Sequence, residues 1–292
     1  MSEPLVRLGL WLFRQIARLP DRWVRRIGFA LGEVLWRLAP GRRKIALTNL
    51  ALCFPERTPA ERRAIAHGHF RCYAASFVER FILWHESAER ICKLVRVVDK
   101  HHFDAHFGGP LIILAPHFVG LDAGGIRVQI ESGGASMFAN QKSRALTELM
   151  TRGRSRFKET RMFVRNDGLR PAIRALRDGL PFYFLPDMDL GPRDALFVPF
   201  FGVKCATVPS VARLAQITGA RVVPLVTRMT DEGYEATFHP AWEDFPGDDL
   251  EAATRRMNAF IEQCVLTMPE QYLWTHRRFK TRPPGEPPVY RR

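Results

Sequence analysis

The chain has 292 residues, 46% of them hydrophobic and 25% charged, a balance that excludes a disordered chain and suffices for one large α/β domain or two small ones. Its formal net charge of +14 suits an anionic partner: nucleic acid, an anionic membrane, a phosphorylated lipid or an acidic protein. The five cysteines, Cys53, Cys72, Cys92, Cys205 and Cys264, are scattered and form no C-x-x-C pair. That argues against a zinc ribbon or a disulfide framework, and for small buried side chains in a reducing compartment.

Leu5 to Leu19 predicts a helix with Arg7, Arg14 and Arg18 on one face and Leu, Val, Trp, Phe and Ile over the rest. Pro20 interrupts it. A second helix, Asp21 to about Leu38, repeats the design, with Arg22, Arg26, Glu33 and Arg37 on a stripe and Trp23, Ile27, Leu31, Val34 and Leu35 elsewhere. Arginines break every apolar window long enough to span a bilayer, and no cleavage site follows, so neither a spanning helix nor a signal peptide is expected. Basic faces opposite Trp, Leu and Phe predict helices lying in a membrane interface. Met1 to Lys44 holds ten Arg/Lys against three Asp/Glu, half the excess charge of the chain, and anionic lipid attracts such a segment.

Arg42 to about His85 reads as helical throughout, with Thr58-Pro59-Ala60-Glu61 as a capped helix start. Strands are expected at Leu94 to Val98, Leu111 to Ala115, Ala135 to Phe138, Phe182 to Leu185, Arg221 to Thr227 and Tyr234 to His239. Helices fall at Ser143 to about Gly153, Leu169 to Asp178, Ser210 to Thr218 and Asp249 to Met268. The alternation predicts an α/β fold, with a mostly parallel central sheet flanked by helices behind an N-terminal amphipathic, membrane-associated segment. The expected domains are 1–45 (interfacial helices), 46–283 (α/β domain) and 284–292, a Pro- and Arg-rich tail, with loose order expected from Thr281 onward.

The main chemical signal is Pro110 to Asp122, P-L-I-I-L-A-P-H-F-V-G-L-D. A strand buried on both faces stops at Pro116, placing His117 just past its end, where open α/β sheets bind ligands. Gly120, Gly124 and Gly125 would let the following backbone approach a ligand. His117 is a candidate general base, with Asp122 orienting its ring. Thr151 to Lys158 (T-R-G-R-S-R-F-K) is either a solvated basic run or a clamp for phosphates or a developing oxyanion. Asp187 and Asp189 follow the strand ending at Leu185-Pro186. Without a third carboxylate they make a poor metal site, but next to Phe197 to Phe201 they could line a pocket for an amphiphile. His101, His102, Asp104 and His106 read as a helix-and-turn surface rather than a metal site. There is no G-x-S-x-G, no Walker loop and no G-x-G-x-x-G, and no nucleic-acid-binding motif.

Together, H-x-x-x-x-D (His117, Asp122), T-R-G-R, L-P-D-M-D-L-G-P-R, N-L-A-L-C-F-P-E (Asn49 to Glu56) and the tail P-E-Q-Y-L-W-T-H-R-R-F-K-T-R-P (Pro269 to Pro283) resemble the lipid A secondary acyltransferases of Gram-negative bacteria, within the lysophospholipid acyltransferase superfamily. The likeness covers nearly the whole chain. It implies transfer of an acyl chain from acyl carrier protein to a hydroxyl of a Kdo-bearing lipid A precursor at the cytoplasmic face of the inner membrane, with no cofactor, metal or nucleic acid. It implies His117 as catalytic base, Asp122 as its acidic partner and Arg154 as stabiliser of the oxyanion. Asp187 matches the acid of the superfamily's third motif and Val223-Pro224 its fourth. Arg152, Asp187, Asp189 and Arg193 are the expected substrate-binding residues. The rival readings are an acyltransferase with another lipid acceptor, a non-catalytic basic protein that binds membranes or nucleic acid, and a metal hydrolase using the histidine cluster.

Overall fold

Leu111–Leu114 (β2) is buried at every residue. In this computed structural model, which describes residues 3–290, β2 is the central strand of a seven-stranded sheet. The other strands are β1 (Val95–Val98), β3 (Gly134–Phe138), β4 (Thr160–Val164), β5 (Phe182–Phe184), β8 (Arg221–Met229) and β9 (Tyr234–Phe238), in the order β1-β9-β8-β2-β5-β3-β4. Only β8 and β9 pair antiparallel; the other neighbours are parallel. A strand covered on both faces needs apolar residues without alternation, which Leu-Ile-Ile-Leu supplies. Ile112 and Leu114 belong to one core and Leu111 and Ile113 to the other.

Among the described residues, eleven α-helices cover the sheet and its ends: α1 (Glu3–Ile16), α2 (Asp21–Leu38), α3 (Pro40–Cys53), α4 (Pro59–His85), α5 (Ala88–Leu94), α6 (His101–Asp104), α7 (Leu121–Glu131), α8 (Arg144–Gly153), α9 (Arg170–Arg177), α10 (Ser210–Thr218) and α11 (Leu250–Thr267). The expected continuous helix from Arg42 to His85 is broken at Phe54 to Thr58. Thr58 and Glu61 then close a capping box that starts the 27-residue α4.

Strands β4, β6 (Leu196–Phe200) and β7 (Val203–Thr207) and helices α5 and α7 were not among the expected elements. Edge strand β4 is only half-buried and directly follows the basic run. The separate antiparallel hairpin of β6 and β7 turns through Phe201 and Gly202, both at positive φ (+49° and +75°). That is a type I′ turn, for which Asn-Gly is the usual signal; a phenylalanine in the first position hides it.

Helix α2 packs along α4, and its inward face is Val24, Arg25, Gly28, Gly32 and Trp36. A Cβ on Gly28 would lie 2.4 Å from Ala75 Cα, so the two backbones approach as closely as glycine permits. Arg25 is buried, donating to Glu79 Oε1 at 2.7 Å and to the Gly233 carbonyl at 3.1 Å. Trp23, Val34 and Leu38 stay exposed, as do Leu5, Leu8, Trp11 and Leu12 of α1. Among the described residues, no helix is long and apolar enough to cross a membrane.

The segment after α11 contains no long helix or strand, yet it is firmly held. Asn49 donates to the Trp274 and His276 carbonyls at 2.7 Å each, so the N-L-A-L-C-F-P-E and tail motifs meet in space. Beyond Thr281, where loose order was expected, Thr281 is bonded to Asp189, and Phe279 N–H donates to the Tyr290 hydroxyl at 3.1 Å.

His69 of α4 is fully buried, and burial lowers its pKa from 6.5 to about 4 against the raising effect of the Glu270 carbonyl. Between those values the unfolded chain binds the proton and the folded chain does not. This contribution to stability is therefore complete above 6.5 and is lost as pH falls towards 4. Equilibrium denaturation across that window should show stability falling with acidification, with a shallower slope in His69→Gln. Identical slopes would contradict the assignment.

Candidate active site

His117 and Asp187 come together through strand register. β2 and β5 are parallel neighbours, with Leu114 opposite Phe184. Continuing that register three residues past both strand ends sets His117 opposite Asp187. His117 N–H donates to both carboxylate oxygens at 3.2 Å, and the ring Nδ1 lies 2.7 Å from Asp187 Oδ1. Asp187 is buried. Burial opposes its ionisation, but the neighbouring His117, its hydrogen bonds and Arg278 outweigh that and hold the pKa at about 2. An ionised acceptor on Nδ1 fixes the proton there and leaves Nε2 as the basic nitrogen.

The tail motif braces this pair from behind. Leu273 N–H donates to the His117 carbonyl at 3.0 Å and Val119 N–H to the Gln271 carbonyl at 2.9 Å. Arg278 is buried and donates to the Ala206 carbonyl and to Thr207 Oγ1, at 2.8 Å each.

Asp122 does not hold the histidine ring, contrary to the expectation from its spacing. It lies in the first turn of α7, and its carboxylate is taken by two arginines. Arg154 approaches Oδ1 with Nε at 2.8 Å and Nη2 at 2.6 Å, and Arg80 of α4 places Nε 2.7 Å from Oδ2. Burial works against ionisation here too, but Arg154, Arg80 and more weakly His117 outweigh it and lower the pKa. Of the glycines after His117, Gly125 lines the cavity, while Gly120 and Gly124 serve another purpose: a Cβ on Gly124 would lie 2.2 Å from Thr227 Oγ1, so this glycine lets α7 approach β8 rather than a ligand.

The remaining sequence candidates separate. Asp189 is buried away from the cavity, accepting from Gly191 N–H at 2.9 Å, Thr281 N–H at 2.6 Å and Thr281 Oγ1 at 2.8 Å. It anchors the tail through Thr281. Arg152 and Arg193 are exposed on the surface and do not line the cavity. Arg80 was missed, although S-F-V-E-R-F-I-L-W carries the signal: two charged residues inside an apolar helical stretch. Glu79 is buried in an ion pair with Arg25, and half-buried Arg80 pairs with Asp122.

His117, Asp122, Arg80 and Arg154 all line one cavity of about 620 Å³. It extends along α7 past Gly125, Ile126 and Gln129, with Tyr183 across from Gly125, and Met188 and Leu190 also line it. Most of its lining is apolar; Arg165 lines it besides His117, Asp122, Arg80 and Arg154. The arrangement offers a base, a pre-set cation for developing negative charge, and apolar space for a long chain.

The sequence model of the bacterial lipid A biosynthesis acyltransferases matches residues 2–281. The chain is 34% identical over 292 residues to a lipid A biosynthesis lauroyltransferase of Escherichia coli K12, covering 98% of this chain and 94% of the relative. It is 33% identical to the lipid A biosynthesis myristoyltransferase of the same organism, over 98% and 90% of the two chains. A lipid A biosynthesis acyltransferase of Haemophilus influenzae is 32% identical over 96% and 92%.

Proposed function

The chain belongs to the bacterial lipid A biosynthesis acyltransferases, and from that premise we propose that it moves a fatty acyl chain from acyl carrier protein to a hydroxyl of a Kdo-bearing lipid A precursor, with His117 as general base. The observation that carries this reading is the ring of His117, tied at Nδ1 to an ionised Asp187 and lining the same cavity as Arg154. Nε2 takes the proton of the acceptor hydroxyl as its oxygen attacks the thioester carbonyl. The carbonyl oxygen becomes an oxyanion beside Arg154, whose guanidinium is held in place by Asp122 and Arg80. Collapse of the tetrahedral intermediate expels the thiolate, which recovers the proton from His117. The product is an ester, and the ring returns to its starting form.

The acid roles follow from the geometry rather than from the H-x-x-x-x-D spacing. Asp187 orients the base and stabilises its imidazolium; Asp122 positions Arg154. The same geometry supports docking on the cytoplasmic face of the inner membrane. Leu5, Leu8, Trp11 and Leu12 form an exposed apolar surface on a basic N-terminal segment. Glu3 of α1 also accepts from Ser143 Oγ and Arg144 N–H at the start of α8, the helix that leads to Arg154. The donor protein is acidic, which suits the net charge of +14.

A transfer assay with acyl carrier protein thioester and tetra-acyl precursor in anionic vesicles tests both parts. Asp187→Asn should lower kcat by about 10³- to 10⁴-fold with little change in melting temperature. Asp122→Asn should instead also lower stability by about 3 kcal/mol, because it leaves two guanidinium groups without their counter-charge. Near-native kcat in Asp187→Asn would contradict the mechanism. Leu8→Glu with Trp11→Glu should reduce transfer on vesicles by about tenfold or more but not transfer to a detergent-dispersed acceptor. Equal losses in both would contradict membrane docking.

A further inference from the structure

We propose that Gln129, together with the indole N–H of Trp84, is the specificity determinant that limits how long a plain saturated acyl chain the cavity accepts. This rests on the acyl-transfer reading above and adds to it the feature that measures the donor. Asp122, Ile126, Gln129 and Gly133 recur on the α7 side at helical spacing, and all line the cavity. The cavity therefore follows α7 away from the reacting end. Gln129 lies seven residues beyond Asp122, about 10 Å at the helical rise. Gly133, Gly134 and Thr160 line the stretch further on.

Gln129 is 8% exposed and Trp84 4% exposed. Gln129 Oε1 and Trp84 Nε1 are both buried, and neither has a hydrogen-bond partner among the described residues. Ile126, Leu146, Met150 and Phe138 also line the cavity and belong to, or pack against, the same apolar cluster as Trp84. A buried amide oxygen without a partner is costly, and an indole N–H likewise. One group is an acceptor and the other a donor, so a water molecule can serve either, but a methylene can serve neither. A chain that ends short of Gln129 leaves this polar site hydrated. A longer chain must cover the amide and the indole N–H with hydrocarbon. Apolar walls before that point welcome each added methylene, so the penalty falls at one depth and produces a sharp limit.

The test is a series of saturated acyl carrier protein donors of stepwise increasing length, with kcat/KM measured for the native enzyme, Gln129→Met, Gln129→Leu and Trp84→Phe. Melting curves establish that each variant is folded, and the three substitutions remove the polar atoms by different routes. The native enzyme should show a steep drop beyond one length. Each folded Gln129 variant should raise the longer-to-shorter kcat/KM ratio across that drop about tenfold, the factor that one unsatisfied buried group corresponds to. Trp84→Phe should shift it in the same direction. An unchanged ratio in the folded variants would overturn this proposal and leave the functional reading standing. No transfer by the native enzyme from any donor would overturn the functional reading, and this proposal with it.

Discussion

The site depends on the register of two neighbouring parallel strands. β2 and β5 pair with Ile112 opposite Phe182 and Leu114 opposite Phe184, and both chains leave the sheet through a proline, Pro116 and Pro186. The same offset carried past those prolines makes His117 and Asp187 partners. A slip of one residue would reverse the facing of each side chain. The cores on both faces of β2 fix the register, and the tail motif locks the strand extension through Leu273 and Gln271. Packing on both faces of the sheet thus decides which carboxylate meets the His117 ring.

The second acid shows how one carboxylate can serve a cation instead of a base. Asp122 receives α4 through Arg80 and the end of α8 through Arg154, so three helices converge on it. A buried charge needs compensation, and here two arginines compensate one aspartate, leaving net positive charge at the cavity wall. Arg154 makes no hydrogen bond from Nη1 among the described residues. That side of the guanidinium is available for negative charge that develops during reaction.

Much of the fold was legible because burial dictates composition. Leu111–Leu114, the alternating strands and helices, and the Thr58–Glu61 cap each follow from a local rule and stand where the sequence reading put them, within a residue or two at their ends. What failed depends on pairing between distant segments. His117 was found from its place after a buried strand, but its partner lies seventy residues away across a strand pair, and spacing along the chain favoured Asp122. Asp189 looked equivalent to Asp187, and a continuing strand would put both on one side, yet the chain bends at Met188 and Asp189 bonds the tail instead. In α2, Trp23 and Val34 of the expected apolar face are exposed, while Leu31 and Leu35 pack against the two cores. The packed face was missed because glycine carries no hydropathy signal; Gly28 and Gly32 work by close approach.

The central claim is that Asp187 holds His117 with its proton on Nδ1 and its Nε2 lone pair towards the cavity. Nitrogen-15 NMR of the labelled imidazole, in the native protein at neutral pH, reads this directly. The account predicts a protonated Nδ1 in a strong hydrogen bond and an unprotonated Nε2, with that signature lost in Asp187→Asn and retained in Asp122→Asn. A proton on Nε2, or a signature that responds to Asp122 and ignores Asp187, would contradict it.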